Sequence, residues 1–181
     1  MWLNREIAYL AMIVAIVVVA IICIKKKKVF SYTLSALILT TYIGVTVSLV
    51  FFPLLVEAKD GMVVPDLGWN IIPLKGIIDS YSNFSTGHAD LFFKEVLGNF
   101  VMLAPLGFLL PIIFDRFRNA KSMVIIGLAT GFGIELIQLL LGLSVGSLYR
   151  NVNIDDALLN FAGCMLGYLV YRIAARIISR K

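Results

Sequence analysis

Histidine is nearly absent from this chain: His88 is the one example, and only two cysteines, Cys23 and Cys164, accompany it. That scarcity excludes several chemistries at once. No Cys/His spacing of the metal-binding kind exists, so no metal or other cofactor is expected. No serine, cysteine or histidine is arranged along the sequence as a nucleophile–base pair. The two cysteines fall at different depths of two different apolar stretches and read as small hydrophobes, not as a disulfide. No internal repeat of the kind that builds secondary transporters is visible. The basic residues form no groove-sized patch, which argues against nucleic acid as a partner. The first apolar run has its positive cluster after it and no small-residue cleavage site, so it reads as a retained helix and not as a signal peptide.

What the chain does have is apolar length. Of its 181 residues 60% are hydrophobic, against about 45 to 50% for a soluble domain. Five stretches reach the roughly 20 residues a bilayer crossing needs: Ile7 to Ile24, Thr33 to Val56, Leu91 to Phe114, Ser122 to Leu143 and Ile154 to Ile177. The expected fold is therefore all-α, a single polytopic membrane bundle over residues 1–181. The third stretch carries Asn99, Pro105 and Pro111 and is expected to bend, because each proline removes a backbone hydrogen bond. Small residues recur four apart at Gly127/Gly131, Gly142/Gly146 and Gly163/Gly167, a spacing that lets helices approach closely.

Lysine and arginine set the expected orientation. Lys25 to Lys28, Arg116, Arg118, Lys121, Arg172, Arg176, Arg180 and Lys181 fall on one side, against Arg5, Lys59, Lys75, Lys94 and Arg150 on the other. The first side is read as cytoplasmic, with the N-terminus outside, the C-terminus inside and the long loop from about Glu57 to Asp90 outside. Within that loop Asn70-Ile71-Ile72-Pro73-Leu74 forms an apolar island beside Trp69. It reads either as a contact with the headgroup layer or as an ordinary connector with one anchor.

Against this background the polar residues inside the spans stand out. A carboxylate near the bilayer centre costs roughly 2.5 to 3.5 kcal/mol even on lenient scales. Glu135 and Gln138 share one face of the fourth stretch, with Glu135 about 12 Å below its outer end. Asn99 lies at a similar depth on the third, also about 12 Å down. Asp155 and Asp156 open the fifth, Asn160 is on the same face as Asp156, and Arg150 lies in the short preceding loop. Three helices thus place polar groups in the outer half of the bilayer, and the inner half has no comparable set. Arg150 can answer one or two of Glu135, Asp155 and Asp156, since its planar fork suits carboxylates and phosphates. Asp155 reads equally well as a helix cap; Glu135 is too deep for one and must be paired, protonated or facing water. A purely structural network remains the bland alternative, although the carboxylates outnumber the one arginine.

At these residues the chain resembles the VanZ-like family of bacterial membrane proteins. The elements that carry the resemblance appear in order from about Asn70 to Tyr168: Asn70 to Leu74, Gly98-Asn99-Phe100, Pro105 to Pro111, Gly133 to Gln138, then Arg150, Asp155 to Asn160 and Gly163. Where the family often has an acidic residue before the Asp-Asp pair, this chain has Asn153, which removes one negative charge from the rim. The resemblance implies a multi-pass protein of the bacterial cytoplasmic membrane, of a family associated with resistance to the acylated glycopeptide teicoplanin.

Two functional readings follow. In the first, a non-enzymatic envelope protein binds a membrane lipid, a lipid-linked cell-wall precursor or the lipoglycopeptide itself through Asn99, Glu135, Gln138, Arg150, Asp155, Asp156 and Asn160. In the second, an intramembrane enzyme acts on an outer-leaflet lipid or lipid-linked sugar with Glu135 as general acid or base.

Overall fold

The computed structural model describes residues 2–56, 69–85, 92–145 and 151–179. Five helical segments among them are long and apolar enough to cross a membrane, so the chain is an all-α multi-pass bundle. Helix α1 spans Arg5–Lys25 and α2 spans Phe30–Phe51. The third crossing is segmented, as its prolines predict. A π-helical turn at Phe93–Leu97 leads into α4 (Gly98–Met102), and α5 (Ala104–Ile113) follows. Pro105 stands in the first turn of α5, where a missing N–H costs nothing. The break falls just ahead of it, at Leu103. The Tyr42 hydroxyl donates to the Met102 carbonyl at that break (2.6 Å) and anchors α2 there. Helices α6 (Ala120–Ser144) and α7 (Ile154–Ile178) complete the bundle.

Helix α7 is the hub. It packs on α4, α5 and α6, while α2 packs on α5, and α1 leans mainly on α2. The glycine spacing is used for this packing. A Cβ on Gly127 or Gly131 would press on Phe161 or Ala157 of α7, and one on Gly163 or Gly167 would strike the carbonyls of Phe100 or Ala104. Gly142 is buried, and its partner in the spacing, Gly146, lies outside the described residues. The core centres on Leu103, Leu106, Leu110, Met123, Cys164 and Tyr168. Both cysteines are free and buried.

Two findings differ from the sequence reading. The second crossing ends at Phe51 and not at Val56. Phe52 is extended and Pro53 follows it, and Leu54–Leu55 (β2) instead pair antiparallel with Trp2–Leu3 (β1). Those apolar residues serve a two-residue ladder, which hydropathy alone cannot distinguish from membrane helix. The connection between the second and third crossings also has structure of its own. Trp69–Asn70 (β3) pair in parallel with Val152–Asn153 (β4), and helix α3 covers Lys75–Ser85. The loop residues Gly61, Pro65, Gly68, Asp60, Asp66 and His88 lie outside the described residues.

Candidate functional site

A cavity of about 790 Å³ opens at the bundle end that holds the N-terminus and the α2–α3 and α6–α7 connections. Its wall is built by the last turn of α2, by the three later crossings and by α3. The third crossing supplies Glu95 and Asn99, α6 supplies Glu135 and Gln138, and α7 supplies Asp155 and Asp156. Of the residues expected to converge, five therefore line one space. Arg150 lies outside the described residues.

The local chemistry of each residue is distinct. Glu135 is 8% exposed, and its carboxylate accepts the backbone N–H of Asn153 at 2.8 Å. Asn153 is the N-cap of α7, its side chain accepting from Asp155 N–H at 3.1 Å. Glu135 thus has a hydrogen-bond partner, and that partner is the backbone at the start of α7. Glu135 is nine residues before the end of α6, which is about 13 Å along its axis, yet it holds the start of the next helix. Helix α7 thus begins about that far below the end of α6.

Asp155 is 1% exposed and caps a different helix from its own. Its two oxygens accept the backbone N–H groups of Leu74 (2.6 Å), Gly76 (2.8 Å) and Ile77 (3.3 Å). These are donors at the start of α3, which an intrahelical pattern leaves without partners. Gly76 is needed for the approach, because a Cβ there would lie 2.6 Å from the Asn153 amide nitrogen. The Asn70 amide donates to Asn153 Oδ1 at 3.2 Å. Through these bonds the apolar island at 70–74 is docked on the residues that open α7. Trp69, Ile71, Ile72 and Leu74 keep their side chains exposed.

Asp156 receives the Asn153 amide at 3.2 Å and also interacts with the Asn99 side chain. The Gln138 amide donates to the Val50 carbonyl at 3.1 Å, tying α6 to the last turn of α2. Asn160 does not line the cavity. It is fully buried one turn below Asp156, and neither its oxygen nor its nitrogen has a hydrogen-bond partner among the described residues.

Sequence reasoning missed Asn153 as a junction; it had registered only as a lost charge. It also missed Ser80 and Glu95, which meet in the cavity wall, the Ser80 hydroxyl donating to the Glu95 carboxylate. The signal was available for Glu95, an acidic residue one turn before Asn99. Nothing in the sequence marks Ser80, because it reaches the site only through the docking of α3. Among the described residues no cluster of Cys, His, Asp and Glu has a metal-holding arrangement.

A multi-pass helical membrane protein with a polar cavity built at one end of its bundle is the class these features define. The chain belongs to the VanZ/LLP1 family, whose model matches residues 39–175, and is thus a VanZ-like protein of a family linked to resistance. The match covers more than the 70–168 region that carries the resemblance and takes in most of α2. No curated protein and no solved structure matches the chain.

Proposed function

We propose that this protein sits in the bacterial cytoplasmic membrane and binds the headgroup of a lipid, or a lipid-linked cell-wall precursor, in a cavity facing outside. The observation that carries this reading is the cavity itself, lined by polar side chains of three crossing helices with Asn99, Glu135, Gln138 and Asp156 together. Carboxylates and amides in an apolar bundle are expensive to keep, and a wall that leaves them facing open space has a use for them. The exposed Trp69, Ile71, Ile72 and Leu74 suit contact with the headgroup layer. A lipoglycopeptide antibiotic is a further candidate ligand, and altered access of such an antibiotic to its target connects this reading to the family's link with resistance.

The binding reading is tested by mass spectrometry of lipid co-purified with the full chain. Glu135→Gln keeps the shape of the wall and removes one of its buried charges. It is expected to lower the specific lipid at least tenfold while the protein still folds; an unchanged lipid complement would sink the assignment. Orientation is tested separately. A cysteine placed at Ser144, with the buried native cysteines silent, is expected to react with an impermeant maleimide added to intact cells. Labelling only after lysis would place the cavity on the cytoplasmic side.

An enzymatic reading draws support from the Ser80–Glu95 pair in the wall, a hydroxyl held against a carboxylate that can accept its proton. Ser80→Ala separates the two readings. The binding reading expects it to retain the co-purified lipid unchanged, whereas an enzyme using that hydroxyl accumulates unreacted substrate in the variant.

A further inference from the structure

A second, apolar cleft of about 250 Å³ lies between α2 and α6. It shares two wall residues, Val50 and Ile134, with the polar cavity, so the two spaces adjoin. At that junction Gln138 holds the Val50 carbonyl; elsewhere α2 packs on α1 and α5 and stands off from α6. The mouth of the cleft is formed by exposed Ile43, Val47 and Ile137. Gly133 lines it, and a Cβ built there meets nothing within 4 Å, unlike the glycines that face α7. A gap between apolar helices in a bilayer is filled by hydrocarbon, since a lining this largely apolar offers water few polar partners. The wall of the adjoining cavity carries Asp79, Glu95, Glu135 and Asp156, with Lys75 as its one cation among the described residues. Asp155 is already taken by the α3 amides.

From this pairing of spaces we infer that the protein takes one membrane lipid sideways between α2 and α6, with an acyl chain in the cleft and an ammonium-bearing headgroup among the carboxylates of the cavity. The inference rests on the headgroup reading above and adds the route, the seat of the tail and the charge of the head. Carboxylates disfavour a purely anionic head and favour an ammonium, which donates to several of them at once. Gln138 stands where head and tail meet.

The test reconstitutes the full chain in nanodiscs of phosphatidylethanolamine and phosphatidylglycerol, with a trace of either lipid carrying a diazirine in its acyl chain. With the phosphatidylethanolamine probe, labelling is expected to concentrate on residues 46–50 and 129–137 and to fall at least tenfold in Gly133→Leu. Labelling of the exposed α1 residues Leu10 and Val14 should stay constant. Ala129→Leu fills the same cleft from the next turn and is expected to act likewise; the melting temperature of each variant reports its fold. Labelling spread evenly around the bundle, or indifferent to both fillings, means ordinary annular lipid and overturns the inference. Equal cleft labelling by the phosphatidylglycerol probe overturns the ammonium assignment. Glu135→Gln is expected to erase the preference between the two probes while cleft labelling persists. A preference that survives Glu135→Gln counts against the headgroup reading and leaves the cleft standing, so the two failures are distinct.

Discussion

Asp155→Ala is expected to release α3 from the bundle and to cost on the order of 2 to 3 kcal/mol, because three part-buried donors lose a buried, charged acceptor. The carboxylate is 1% exposed and serves the N–H groups of Leu74, Gly76 and Ile77. Two further features depend on it. Leu74 has φ of +68°, a left-handed conformation that a branched residue holds only when its surroundings impose it. Ser80 is 3% exposed only while α3 stays docked. A cysteine at Ser80 is therefore expected to be protected from a maleimide in the parent chain and to react rapidly in the Asp155→Ala background. Asp155→Asn keeps one acceptor oxygen and should fall between them. Rapid reaction in the parent would mean that Asp155 is not what holds α3. Because α3 supplies Lys75, Asp79 and Ser80 to the cavity wall, the same variant should also lose co-purified lipid.

The five crossings are legible in the sequence because a bilayer demands about 20 apolar residues in a run, and no other demand produces such runs here. That Asn99, Glu135, Gln138 and Asp156 share a space was legible for a related reason: alternating crossings fix depth, and depth brings residues distant in sequence to one level. Contacts that depend on a docked loop were not legible. Asp155 reads as a cap for its own helix, yet its partners lie near Leu74, and no local pattern connects them. Asn153 looks like a missing charge, but its amide side chain both accepts from Asp155 N–H and donates to Asp156, which a carboxylate could not do. Pro53 was the available signal that the second crossing stops early, and the apolar Leu54 to Val56 obscured it. Asn160 shares a helix face with Asp156 but lies one turn further along α7 and does not line the cavity.

Gly163→Ala and Gly133→Ala are the same substitution in the same bundle with opposite expected results. At Gly163 the added Cβ would lie 1.7 Å from the Phe100 carbonyl oxygen, and its nearest neighbours are all Phe100 backbone atoms, so no side chain can swing aside. A Cβ on Gly167 would meet the Ala104 carbonyl at 1.9 Å and one on Gly107 the Cys164 carbonyl at 1.9 Å, so the third crossing and α7 touch backbone to backbone at three points. Such approach is the use that small residues have in membrane bundles, and weak Cα–H···O contacts add to it. Gly163→Ala must push α4 from α7, at a cost of about 3 kcal/mol, the upper part of the usual overpacking range. Gly133→Ala meets open space and gains up to about 1 kcal/mol of helix propensity. Melting temperatures in detergent should therefore fall for the first and hold or rise for the second. The consequence reaches the cavity, because Phe100 adjoins Asn99, and Gly163 lies on the face of α7 that carries Asp156 and Asn160. Prising α4 from α7 separates Asn99 from Asp156, so Gly163→Ala should lose bound lipid together with stability. Equal melting temperatures for the two variants would mean that α7 does not run against the third crossing at these glycines, and the shared wall formed by Asn99 and Asp156 would fall with that packing.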